Sequence, residues 1–154
     1  MIKNLLFSTI LALGFNINLS AYDTFDKEEI WTVKTDSDFQ DSYLNLKNEI
    51  IHNGFVIVHE LDLAKSTGKV AEAFEKEAVF KKAKNLMICK SSLTLQMHEE
   101  NIENVTYCPM VISVYEYDNK SYISYRKYHK YKDLDNISDT INSLLKETII
   151  KSLD

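Results

Sequence analysis

The chain has 154 residues, with 18 Lys and Arg against 23 Asp and Glu, for a formal net charge of −5. That balance repels phosphate backbones and argues against nucleic acid as a partner. Three glycines and one proline leave little room for long linkers, and the length suits one domain with a core of its own.

Residues 1–21 read as an export signal rather than as part of a fold. Lys3 supplies a short basic start, residues 5–15 form an apolar run weakly interrupted by Ser8, Thr9 and Gly14, and Leu19-Ser20-Ala21 offers small residues ahead of Tyr22-Asp23. The run is shorter than the roughly 20 apolar residues a membrane span needs, so cleavage is expected and no transmembrane segment is left after it. No Cys follows the cut, which argues against a lipid-modified N-terminus. The expectation is an exported protein, periplasmic or secreted, that begins at Tyr22 and meets oxidising conditions.

The first strand is expected over residues 30–35, where Ile, Trp, Thr and Val favour a pleated surface. Thr35-Asp36-Ser37-Asp38 supplies helix-capping oxygens, and Phe39, Tyr43, Leu46, Ile50 and Ile51 recur at helical spacing. Asn53-Gly54 ends that helix. A second strand covers residues 55–61, and Asp62 caps a second helix over residues 63–76, with Val70, Phe74 and Val79-Phe80 as its apolar side. Residues 85–89 form a short buried strand. Ser91-Ser92 caps a third helix to about Glu100 that carries Leu93, Leu95 and Met97. The strongest strand signal covers residues 107–117. Asp118-Asn119-Lys120 turns the chain, and residues 121–128 return to close a hairpin. Asp133 and Asp135 acidify the start of a last helix striped with Ile137, Ile141, Leu144, Leu145, Thr148 and Ile149. The order β-α-β-α-β-α-β-β-α predicts an α+β domain of two layers over residues 36–154, preceded by an N-terminal segment, residues 22–35, that holds the first strand.

These residues carry a family likeness. Asn53-Gly54-Phe55 leading to His59-Glu60-Leu61-Asp62-Leu63, then Leu86-Met87-Ile88-Cys89, then Pro109 followed by Val114-Tyr115-Glu116, a hairpin and a terminal helix resemble the bacterial and archaeal family called domain of unknown function 302. The likeness runs from Asp38 to Leu153. It implies a sandwich with a curved, mostly antiparallel sheet and homodimers, and it implies no activity. The chain departs from the family pattern twice. Lys90-Ser91 follows Cys89 where the family usually continues into Asn-Pro, and Met110 follows Pro109 where the family usually has Cys. Here the cysteine comes before the proline, as Cys108. On a strand such a shift reverses the face, so a role tied to a cysteine after the proline does not pass to Cys108, and only a soft-ligand role survives at Met110.

Several residue sets could carry chemistry, each with a plainer structural reading beside it. Cys89 and Cys108 can form a disulfide or redox pair, or can be two buried thiols acting as small hydrophobes. With His98 and Met110 they offer a soft-metal set suited to copper, although the spacing matches no recognised metal motif. His59 and Glu60 combine imidazole and carboxylate at a strand end, suited either to acid–base work or to capping and solvation. Seven of the nine tyrosines fall within residues 107–131. Tyr115, Tyr117, Tyr122 and Arg126 can form an aromatic face that binds a ligand or partner, or can simply pair across strands. No phosphate loop, nucleophile elbow or zinc-protease motif occurs. The favoured reading is a non-catalytic ligand-binding or assembly module, homo-oligomeric, whose partner is a small ligand or an envelope protein. The alternative is a thiol-redox or soft-metal protein using Cys89 and Cys108, and a hydrolase at His59 and Glu60 ranks last. The sequence requires no cofactor.

Overall fold

The computed structural model describes residues 22–129 and 137–153. The expectations for residues 1–21, for the acidic start of the last helix and for Tyr131 lie outside these residues.

Six strands form one sheet: β1 (Thr24–Asp26), β2 (Ile30–Thr35), β3 (Val56–Asp62), β4 (Ala83–Cys89), β5 (Met110–Tyr117) and β6 (Lys120–Arg126). Their spatial order is β1-β2-β6-β5-β4-β3, and every neighbouring pair is antiparallel. Four helices connect them: α1 (Phe39–His52), α2 (Leu63–Ala73), α3 (Ser91–Glu100) and α4 (Ile137–Lys151). A 3₁₀ turn, Ile102–Tyr107, follows α3. The expected α+β sandwich is what forms, with one short strand added at the N-terminus. β2 is a central member of the sheet, between β1 and β6, with Trp31 and Val33 in the core. The sheet therefore includes residues that the sequence assigned to a preceding segment.

α1 shows how local sequence builds an element. The Asp38 carboxylate accepts the Asp41 N–H at 2.9 Å and caps the start. Phe39, Tyr43, Leu46 and Ile50 all turn inward on one stripe. At the other end Gly54 takes φ +76°, and the Gly54 and Phe55 N–H groups bond back to the Ile51 and Ile50 carbonyls at 3.0 and 3.1 Å. This Schellman-type ending needs a left-handed residue, which glycine supplies without a Cβ clash. It turns the chain into β3 at the far edge of the sheet.

The core lies on one sheet face. Trp31 and Val33 from β2, Ile123 and Tyr125 from β6, Met110, Ile112 and Val114 from β5, and Leu86 and Ile88 from β4 form its floor. α1, α4 and the Leu93 and Met97 positions of α3 close it, with Ile141, Leu145 and Ile149 of α4 fully buried. Tyr125 donates to the Asn142 carbonyl at 3.2 Å, and Asn142 exchanges two hydrogen bonds with the Tyr128 backbone. The two-residue turn at Asp118 and Asn119 has φ of 51° and 56°, the double left-handed geometry that suits a tight hairpin.

Several local expectations shift. α2 ends at Ala73, three residues early, and Glu75 takes a positive φ of 53°. None of its residues is buried, and Val70, Phe74 and Val79 stand exposed. The reason is position. α2 packs beside Asn85, Ser113 and Ser124 on the sheet face away from α1 and α4, and among the described residues no second layer covers its outer side. Leu95 likewise points to solvent, because only Leu93 and Met97 share the inward stripe of α3. α3 starts after Lys90, which makes no side-chain capping bond, so Ser91 and Ser92 lie inside the helix. β5 starts at Met110 rather than at Tyr107, which is the last residue of the 3₁₀ turn, and Cys108-Pro109 joins the two through a cis peptide bond.

Leu46 and Leu145 are both fully buried, so Leu46→Ala and Leu145→Ala should each lower unfolding free energy by about 2–5 kcal/mol. Val70→Ala should stay within about 0.5 kcal/mol of the parent. Urea unfolding of the three variants checks both expectations.

Candidate functional site

The second sheet face is the one turned away from the core. Pleating places Thr32, Ser124, Ser113 and Asn85 on it, in register across β2, β6, β5 and β4. They form a polar row, and Ser113 Oγ donates to Asn85 Oδ1 at 2.8 Å. Beside this row Tyr115 and Tyr122 are direct cross-strand partners. Their rings stack at a centroid separation of 5.4 Å and an interplanar angle of 18°. Phe80 meets Tyr115 edge-on at 5.7 Å. Leu63, at the start of α2, and Phe80 then wall a cleft of about 190 Å³ whose floor includes Asn85, Ser113 and Ser124. Apolar walls over a few convergent polar groups are the usual build of a ligand site, although this volume is small for one. Burial pushes the Tyr115 hydroxyl up from its ordinary value, so it is protonated and able to donate throughout the neutral range.

The expected tyrosine face is therefore one surface. Tyr115 and Tyr122 form its stacked centre, Tyr117 stands exposed at its hairpin end, and Arg126 is exposed on the same side of β6. Tyr125 is the exception among the hairpin tyrosines. It points into the core against Trp31 at 5.8 Å, and burial pushes its hydroxyl up to about 12. Lys127, just after β6, is paired with Asp26 at 2.7 Å.

Cys89 and Cys108 are brought together as free thiols, with Cys89 Sγ donating to Cys108 Sγ at 3.5 Å. Cys108 lies just ahead of β5 and meets Cys89 at the end of β4. Met110, by contrast, is fully buried on the core face opposite Ile88, whereas Cys89 belongs to the alternate face of β4. His98 is half-buried on α3. Among the described residues, no three His, Cys, Asp or Glu side chains gather where a metal ion could be held.

His59 and Glu60 reach opposite sides of the sheet, as successive strand residues must. His59 is exposed opposite Met87. Glu60 turns to the helix side, where Tyr43 donates to one carboxylate oxygen and Lys47 to the other, the latter at 2.5 Å. Lys84 Nζ sits 4.2 Å from the centre of the Tyr43 ring. The plain reading of Glu60 as a solvated side chain is thus corrected: it is half-buried and anchors α1 to β3. The sequence held half of the signal, since Tyr43 and Lys47 are four apart on one helix face. It could not show that β3 lies beneath them.

A larger, mostly polar hollow of about 260 Å³ lies at the hairpin turn, lined by Lys34, Asp36, Asp38, Glu116 and Lys120 among others. Charges of both signs line it and Asp38 is occupied as a helix cap, so it shows no preference for a ligand of either sign.

These features define an α+β protein with one helix-covered sheet face and one face that is largely open among the described residues. The family model for domain of unknown function DUF302 matches residues 31–152, and the chain belongs to that family. Among solved structures it is similar to the uncharacterized conserved protein DUF302 from Bacillus stearothermophilus, with a TM-score of 0.71 and 14% identity. The alignment covers 82% of this chain and 99% of the other, and the likeness is one of fold. No curated protein matches the chain. The family has no activity attached to its name, and no described helix is long and apolar enough to cross a membrane.

Lys47 and Tyr43 hold the Glu60 carboxyl below its ordinary 4.5, the Lys47 hydrogen bond contributing most. A depressed folded value means the contribution to stability is whole above about pH 4.5 and is lost as pH falls through the lowered value. The raised Lys47 ammonium is the same pair seen from its other partner, and is lost only far into the alkaline range. Glu60→Gln should flatten this part of the acid limb. Urea midpoints measured between pH 3 and 7 for both proteins check it, and parallel limbs would contradict the assignment.

Proposed function

We propose that this protein is an exported binding and assembly module that works through the outer sheet face. The carrying observation is the stacked Tyr115–Tyr122 pair beside the Thr32-Ser124-Ser113-Asn85 row, on the face away from α1 and α4. Tyrosines bring apolar area and a polar tip at low entropic cost, which suits recognition. The surrounding rim adds exposed Phe25, Ile30 and Tyr117.

The first partner is a second copy of the chain. A two-fold axis through this face would set the tyrosine pair of one copy against that of the other, an isologous contact needing no second complementary surface. α4 is a weaker candidate for the interface, since its apolar stripe is already spent on the core. The cleft beside Phe80 would then take a small ligand or a partner side chain at the rim of the assembly. Residues 1–21 serve as the cleaved address, and the working chain begins at Tyr22 in the cell envelope.

Sedimentation velocity of the chain from Tyr22 onward should show a dimer at tens of micromolar. Tyr115→Ala with Tyr122→Ala should move it to monomer while circular dichroism stays unchanged. A monomer in the parent protein, or a dimer untouched by the double variant, would remove this surface from the interface. For export, intact mass of protein from the envelope fraction should begin at Tyr22, and a full-length mass confined to the cytoplasm would end that part of the reading.

A further inference from the structure

The two thiols sit where three elements meet. Cys89 is the last residue of β4 and pairs with Val56 of β3. Cys108 ends the 3₁₀ turn, its N–H bonded to the Val105 carbonyl at 3.3 Å. Thr94, in the second turn of α3, places its hydroxyl 3.1 Å from Cys108 Sγ. The chain between the cysteines is the excursion that holds α3 and the turn. An S–H···S contact of 3.5 Å must shorten by about 1.5 Å to become a disulfide. Both residues are half-buried rather than sealed in the core, so an external reagent can approach.

We propose that Cys89 and Cys108 are a dithiol–disulfide couple that reacts with an external disulfide, Cys108 making the first attack and Cys89 resolving it. Cys108 loses its proton to solvent, and the Thr94 hydroxyl donates to the resulting thiolate. The thiolate attacks one sulfur of an external disulfide R–S–S–R. Its S–S bond breaks, one R–S⁻ leaves, and a mixed disulfide forms on Cys108. Cys89 then loses its proton and attacks the Cys108 sulfur, expelling the second R–S⁻. Two protein thiols are oxidised to one disulfide, and one external disulfide is reduced to two thiols that take up the two protons. Burial pushes the Cys89 thiol up, in keeping with a sulfur that acts second, within the mixed disulfide. The product would tie the α3 excursion to the end of β4. This couple is independent of the outer-face reading, since neither cysteine belongs to the Tyr115–Tyr122 pair or to the polar row.

The test is equilibration of the full chain in glutathione buffers of varied oxidised-to-reduced ratio, followed by acid quench, thiol tagging and mass measurement. The expected result is interconversion between a two-tag and a no-tag form at a single midpoint. The no-tag form should yield one linked peptide containing both Cys89 and Cys108. Cys89→Ser should accumulate a single glutathione adduct, whereas Cys108→Ser should react at least about tenfold more slowly. Thr94→Val should slow the first attack by about three- to tenfold and leave the linked peptide unchanged. Two thiols still fully tagged at the most oxidising ratio, or links found only between chains, would overturn the couple in the parent protein without any variant. Equal rates for the two serine variants would overturn the assignment of Cys108 as the attacking sulfur.

Discussion

The alternation of side chains along β5 constrains the rest of the molecule. Met110, Ile112 and Val114 point one way and are fully buried. Val111, Ser113, Tyr115 and Tyr117 point the other way. β5 has neighbours on both sides, β4 and β6, so its phase is imposed on them through the ladders. Ile112 sets Leu86 and Tyr125 on the core face, and Ser113 sets Asn85 and Ser124 on the outer face. A slip of one residue would put Tyr115 under α1 and Val114 in water. The core and the candidate recognition face are therefore two consequences of one register, and neither can change without the other.

The helices respond to that division unequally. α1 and α4 cover the inner face and supply the long apolar stripes. α2 lies across part of the outer face and buries nothing of its own. It is held by its Asp62 cap, which accepts from the Lys65 N–H at 2.8 Å, and by its contact with the β4 side of the sheet. The outcome is a face with a partial roof: a cleft at Phe80 and open tyrosines beyond it. The Glu60–Lys47–Tyr43 cluster does related work on the inner side, tying the edge strand β3 to α1 by charge where the apolar floor runs out. Its partly exposed position keeps it responsive to pH.

Helix limits and inward stripes were largely legible in the sequence, because capping residues and a 3.6-residue period act over a few neighbouring positions. Asp38, Gly54 and Asp62 each did locally what their chemistry implies. The misread parts share one cause. Val70, Phe74 and Leu95 look like core from composition, yet burial depends on which sheet face a helix lands on. Glu60 looks solvated from its neighbours along the chain, yet its partners are 13 and 17 residues away. Tyr107 looks like the start of a strand, yet it ends a 3₁₀ turn that places Cys108 beside α3.

By itself the sequence determined the class of fold, the order of elements, the tyrosine-rich hairpin and the family, since each rests on local pattern or on motifs in order along the chain. The tertiary structure decided which residues meet. It stacked Tyr115 on Tyr122, lined up Thr32, Ser124, Ser113 and Asn85 across four strands, placed Cys89 against Cys108, and sent His59 and Glu60 to opposite faces. Those outcomes follow from strand order and register. Both are set by the packing of distant segments into one sheet, which no short stretch of sequence encodes.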